Sequence, residues 1–284
     1  MSDSRNTHQR PTEPKMDDFR KGQIDDAQLK LLRSGENSDL KIRCRDRMWG
    51  VHKVILAQRC PFFRAALRPG FQEESSGIIV MDEDEPQAIN ELLTYLYTLS
   101  DQINLPSGRD RKIGFIDVYD EVYSDSLIPE LNDRPQQLIQ SLTNNVKYLS
   151  DVLVTADKYQ VSDLATLAGQ KIAARLVVLQ CWAGAWKDGW KEKDGWKDLD
   201  KRLTSAFSEA LYLEHEMPPL QRYQNTFFQT VISKFDIDTI FSDVEFIQAH
   251  PRLTREVLLD RNKALKSMVE DVPKSKRKKY TMQH

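Results

Sequence analysis

One stretch, residues 39–97, constrains the fold of this 284-residue chain more than any other. Apolar and polar side chains alternate at its start, a pattern typical of a strand with one buried face. A helical segment follows, in which Val54, Ile55 and Ala57 are expected to supply core. A short apolar run at 78–81 predicts another strand, and residues 86–98 repeat apolar side chains at helical spacing. This order of elements predicts a domain that combines short strands with helices.

The motifs of this stretch carry a family resemblance. In type, order and spacing they resemble a BTB/POZ domain: HKVILA at 52–57, PFFRAAL at 61–67, FQEES at 71–75, IIVM at 78–81 and, further on, LVTADKYQV at 153–161. The resemblance implies an α+β, BTB/POZ fold, a short mixed sheet flanked by a helical cluster. Amphipathic helical patterns beyond residue 176 predict an α-helical extension after it.

Four segments organise the chain. We expect a disordered tail at 1–17, the BTB/POZ domain at 18–176, a helical extension at 177–270 and a basic disordered tail at 271–284. An acidic insertion at about 100–144 interrupts the domain, since prolines and glycines break all periodicity there. Its acidic-aromatic part, residues 115–123, is either a short element packed back on the domain or a partner-binding segment that orders on contact.

A dimer contact is implied by the resemblance. Ile24, Ala27, Leu31 and Leu32 recur at helical spacing before the first strand. This helix either forms a packed edge of the domain or, as in BTB dimers, packs against a partner copy. The resemblance also implies that Asp39 and Lys53 line a charged pocket beside the dimer groove.

A second contact is implied at Phe71-Gln72-Glu73. This element resembles the hydrophobic-x-acidic motif with which many BTB adaptors bind the ubiquitin-ligase scaffold cullin-3. Phe71 would be the apolar anchor and Glu73 its charged companion. The alternative is that Phe71 caps the core and Glu73 is solvated.

Two further clusters have alternative interpretations. Four tryptophans either pack between the domain and the following helices or form a peptide-docking surface. They are Trp182, Trp186, Trp190 and Trp196. Near the C-terminus five cations occupy six positions. This run is either a nuclear localisation signal or part of a solvated terminus. Its cations are Lys274, Lys276, Arg277, Lys278 and Lys279. No zinc-finger pair accompanies them, so we expect no sequence-specific nucleic-acid binding.

Several function classes are not expected. The net charge of −2 gives no general attraction to nucleic acid or membranes, and no apolar run has the length of a membrane span or secretory signal. Three cysteines at wide spacing fit a reducing compartment, which predicts the nucleus, the cytoplasm or both. No phosphate-binding loop, nucleophile elbow or metal-ligand spacing occurs. We therefore expect no catalytic residue, cofactor or metal, and a structural role for His52.

The sequence thus predicts a protein–protein interaction module rather than an enzyme. One hypothesis is a self-associating substrate adaptor of a cullin-based ubiquitin ligase, whose partners are a second copy, cullin-3 and an unidentified protein substrate. The alternative is a nuclear scaffold or transcriptional co-regulator that dimerises without ligase function.

Overall fold

The computed structural model describes residues 26–103, 105–106, 135–187, 199–235 and 237–270. The chain divides into two compact units, an N-terminal unit of residues 1–101 and a C-terminal unit of residues 102–284. The BTB/POZ domain predicted at 18–176 crosses this division. None of the helices in the described ranges combines the length and the apolar run needed to cross a bilayer.

The N-terminal unit is a small mixed sheet with helices. Its elements are helix α1 (26–34), strands β1 (Leu40–Cys44) and β2 (Arg47–Val51), helices α2 (Lys53–Arg59), α3 (Pro61–Ala66) and α4 (Gln72–Ser76), strand β3 (Ile78–Val80) and helix α5 (Pro86–Thr98). The strand order is β2-β1-β3, with β2 antiparallel and β3 parallel to β1. The observed elements confirm the predicted α+β class.

The core of this unit lies on one face of the sheet. Alternation in β1 buries Ile42 and Cys44 on that face. Phe63 and Tyr97, from α3 and α5, are also fully buried. The prediction for α2 was wrong at Val54, whose side chain is 61% exposed, while Leu56 is fully buried. The core side of this seven-residue helix therefore faces away from Val54, because residues two apart do not share a helix face.

The C-terminal unit is helical. Its elements are α6 (Pro135–Lys158), α7 (Ser162–Lys187), α8 (Leu199–Ala210), a short 3₁₀ helix (Pro218–Leu220), α9 (Gln221–Lys234), α10 (Ile237–Ile240), α11 (Val244–Ala249) and α12 (Pro251–Glu270). Helix α6 begins at residue 135, nine residues before the predicted end of the insertion at residue 144. Ile139, Leu142 and Val146 are buried on its core side.

Close packing holds these helices together. α6 and α7 pack against each other, and α9 packs against α7. The rings of Phe207 and Phe227 stack with centroids 5.3 Å apart. Gly169 in α7 lets Tyr223 approach closely: a Cβ atom at this position would overlap Tyr223 Oη and lie 3.0 Å from its Cζ.

Candidate protein-interaction sites

Phe71 projects from the surface at the start of α4. Its extended backbone (φ −88°, ψ 152°) forms the N-cap of the helix, and its side chain is 51% exposed. Gly77, in the left-handed conformation (φ +67°), ends the helix and donates its N–H to Glu73 O at 3.1 Å. About half of the Phe71 side chain is therefore open to a partner.

Glu73 lies in the first turn of α4 and is partly buried. Together with Glu74 it gives the helix an acidic start, where carboxylates are favoured by the helix dipole. The arrangement combines an exposed aromatic ring with an acidic rim. This combination fits a partner with an apolar pocket and basic residues around it, because aromatic anchors in pockets dominate binding energy at protein interfaces.

His52 is part of a hydrogen-bonded network beneath the N-terminus of α2. Its Nε2 lies 2.9 Å from Glu36 O, and its Nδ1 lies 2.7 Å from Tyr97 Oη. Since a carbonyl only accepts, Nε2 carries the proton in the neutral ring, and Tyr97 Oη donates to Nδ1. Tyr97 Oη also accepts the backbone N–H of His52 at 3.0 Å. Both ring nitrogens are thus satisfied, which supports the structural role predicted for His52.

Tyr97 is the member of this network that the sequence did not identify. Burial raises the pKa of its hydroxyl, with a smaller upward contribution from the Asp39 carboxylate, and the backbone N–H of His52 offsets this only in part. The hydroxyl therefore stays protonated and remains a donor to His52 at physiological pH. The helical spacing of apolar residues predicts that Tyr97 is buried. The contact between Tyr97 and His52 spans 45 residues of sequence, so no local sequence pattern indicates it.

Asp39 and Lys53 are in contact, but through the backbone. Asp39 Oδ1 accepts the N–H of Lys53, the first residue of α2, at 2.7 Å. This bond satisfies one of the amide groups that a helix N-terminus leaves without an intrahelical partner. The carboxylate thus acts as a helix cap, whether or not the two side chains line a pocket beside a dimer groove.

The helix predicted to form the dimer contact is α1. Leu32 is buried within the unit, whereas Ala27 is exposed and Leu31 is partly buried. Ala27 and Leu31 are therefore the predicted residues that a second copy could reach; Ile24 lies outside the described residues. Sequence reasoning missed Arg59, which donates to Gln28 Oε1 at 3.2 Å and to the carbonyls of Leu96 and Tyr97 at the end of α5.

The other predicted sites fall wholly or partly outside the described residues. These are Trp190, Trp196, the side chains of Trp182 and Trp186, the acidic-aromatic segment 115–123, and the basic positions Lys274, Lys276, Arg277, Lys278 and Lys279. Across the part of the chain that is described, no group of three or more potential ligands could hold a metal ion. Burial raises the pKa of the Cys44 and Cys60 thiols, which keeps them protonated and unreactive.

Comparison with known proteins places the similarity in the N-terminal half of the chain. A family model described as BTB/POZ domain matches residues 29–111. Kelch-like protein 40b of Danio rerio is 30% identical over 86 residues, and Kelch-like protein 40a of the same organism is 29% identical over 87 residues. These alignments cover 30% and 31% of this chain but 14% of each relative.

Proposed function

Because residues 29–111 are a BTB/POZ domain, a protein-interaction module, we propose that this protein is an adaptor that binds cullin-3 and presents another protein to a ubiquitin ligase. In this function Phe71 is the apolar anchor and Glu73 its charged companion. The helices of the C-terminal unit would extend the cullin contact or hold the substrate.

The exposure of Phe71 is the observation that supports this proposal most. A large aromatic side chain that is 51% exposed loses the free energy that burial would provide, about 1.5–3 kcal/mol for complete burial. Phe71 caps a short helix that ends at the left-handed Gly77, and the N–H of Phe71 donates to Arg68 O. The backbone that carries the ring is therefore held at both ends of this segment. Both features are expected of an interface anchor.

Binding to the purified N-terminal domain of cullin-3 tests the proposal. We expect submicromolar affinity for the wild type and a loss of at least about 2 kcal/mol, or roughly thirtyfold, in Phe71→Ala. Met48→Ala is the matched control, because Met48 is equally exposed but lies on the sheet. Absence of binding by folded wild type, or equal binding by Phe71→Ala, would contradict the proposal.

Self-association is the second part of the proposed function. It rests on the exposed Ala27 and the partly buried Leu31 of α1, which a second copy could cover. Light scattering at micromolar concentration should give the mass of a dimer, and Ala27→Glu should shift it toward the monomer. A strictly monomeric wild type would exclude a stable dimer at that concentration.

The alternative, a nuclear scaffold or transcriptional co-regulator, is favoured by the basic run at 274–279. We propose that this run directs nuclear import. Deleting residues 274–284 should move a fluorescent fusion from the nucleus to the cytoplasm. Unchanged localisation would count against the scaffold function without affecting the cullin proposal.

A further inference from the structure

The face of the sheet turned away from the core is apolar with cations at its centre. Paired residues of neighbouring strands point to the same face of a sheet. The register pairs Arg43 with both Met48 and Val80, and Lys41 with Ile78. Met48 is 55%, Val80 52% and Ile78 36% exposed. These five residues form a contiguous surface, the outer sheet face.

The cations of the outer sheet face are available to a ligand. Arg43 bonds Asp82 at 3.0 Å, but both side chains are nearly half-exposed, and such surface pairs contribute little. Lys41 has no carboxylate partner among the described residues. An anionic group entering this face would therefore find one uncompensated cation and a second held only by a solvent-screened pair.

The edge of the sheet beside this face can accept another strand. The N–H of Lys41 donates to Gly77 O at 2.9 Å, and the N–H of Met81 donates to Arg43 O at 2.8 Å. In parallel pairing alternate residues direct their backbone groups to the neighbouring strand. Val80 therefore directs its N–H and C=O to the open side, where no described residue bonds them. Ile78 also faces this side, and its backbone groups contact the Ser76 hydroxyl.

We infer that this edge binds an extended acidic segment of a partner protein, which adds a strand beside β3. The backbone of the segment would bond Val80. Glutamates on one side of the segment would pack their methylene groups on Ile78 and Val80, and their carboxylates would reach Lys41 and Arg43. Aliphatic residues would alternate with the glutamates. None of the five residues of the outer sheet face belongs to the 71–73 element, so the inference goes beyond the adaptor function proposed above.

Fluorescence anisotropy with a labelled peptide GEVEVEVG tests this inference on the full chain. We expect the lysine counterpart GKVKVKVG to bind at least about tenfold more weakly. Val80→Asp and Lys41→Glu should each weaken binding of the acidic peptide by about tenfold or more. Both substitutions are on the surface, and circular dichroism checks that the variants fold. Phe71→Ala should bind the peptide as the wild type does, whatever its effect on cullin-3.

A peptide N-methylated at its central residues separates strand addition from charge attraction alone. It should lose binding, because it cannot pair with the Val80 backbone. Equal affinity for the acidic and basic peptides, full binding by Val80→Asp or by the methylated peptide, or no binding at about 1 mM would overturn the inference. Self-association that Val80→Asp abolishes would assign the face to a second copy instead, and would also overturn it.

Discussion

The two units use their surfaces differently. Within the described residues, the smaller N-terminal unit exposes six large hydrophobic side chains, including Phe71, Met48 and Val80, and the larger C-terminal unit exposes four. In the C-terminal unit, a polar cluster connects α6 to the turn that follows α8. Lys147 of α6 bonds Asp151 at 2.8 Å and lies 4.4 Å from the Tyr212 ring centroid, and Tyr212 Oη also bonds Asp151. Within the described residues, the N-terminal unit therefore leaves more large apolar side chains open to a partner than the C-terminal unit does.

Gly169→Ala tests the packing of the C-terminal unit and has the largest expected effect. Helix propensity alone predicts a stabilisation of about 1 kcal/mol. The overlap with Tyr223 Oη predicts the opposite sign, a destabilisation of about 1–3 kcal/mol. Urea unfolding followed by circular dichroism measures the change in the free energy of unfolding. Tyr223→Phe in the same background should restore part of the loss, and a stabilised Gly169→Ala single variant would refute this account of the packing.

His52→Ala tests whether the N-terminal unit also depends on one buried contact. The substitution removes the acceptor of the Tyr97 hydroxyl, and an unsatisfied buried group costs about 1–3 kcal/mol. We expect a loss of that size in the free energy of unfolding. In a double-mutant cycle with Tyr97→Phe, the second substitution should cost much less in the His52→Ala background. Simple additivity would show that the two side chains do not interact.

These contacts show where sequence reasoning succeeded and where it could not. The strands β1 and β3 and the helix α5 were predicted because alternation and helical spacing are local signals. The start of α6 was missed because glutamine and asparagine dilute the pattern around Ile139 and Leu142. The Asp39 cap joins residues 14 apart in sequence, and the pairing of Tyr97 with His52 spans 45.

The candidate sites were only partly visible for the same reason. The motif at 71–73 was recognisable in the sequence, but the exposure of Phe71 depends on how α4 begins and ends. The outer sheet face was not foreseen, because a continuous apolar run such as that of Ile78 and Val80 predicts a strand but does not show which of its side chains are exposed. Only the register shows that both side chains lie on the open face of an edge strand.

Asp39→Ala and Lys53→Ala together distinguish a helix cap from an ion pair. Loss of the Asp39 carboxylate should destabilise the N-terminal unit by about 0.5–2 kcal/mol, as loss of a helix cap does. Lys53→Ala should change stability by less than about 0.5 kcal/mol, because its N–H remains. Thermal unfolding of both variants measures the difference. Equal losses would indicate that the ammonium group contributes as well.

His250 predicts that the stability of the C-terminal unit depends on pH. Among the predicted changes in stability, this one is expected to be the smallest. Burial lowers its pKa below the ordinary 6.5, and the Glu214 carboxylate offsets this only in part. Its nitrogens lie 2.9 Å and 3.1 Å from the hydroxyls of Ser205 and Ser208 on α8. Because the unfolded chain binds the proton more readily, stability should be full above pH 6.5 and fall as the pH drops below it.

Urea unfolding at pH 7.5 and 5.5 measures that dependence. His250→Gln should show a smaller loss of stability between the two values than the wild type. His215→Gln is the matched control, since His215 is exposed, and should behave as the wild type does. An unchanged pH dependence in His250→Gln would exclude His250 as its source.

Hydrogen–deuterium exchange of the full chain, with and without the N-terminal domain of cullin-3, tests the central claim most directly. The account predicts that cullin-3 slows exchange at residues 71–77, the segment from the exposed Phe71 to the end of α4. It also predicts that Phe71→Ala abolishes this protection. No protection at residues 71–77, or protection that persists in Phe71→Ala, would contradict the assignment of Phe71 as the anchor of an adaptor.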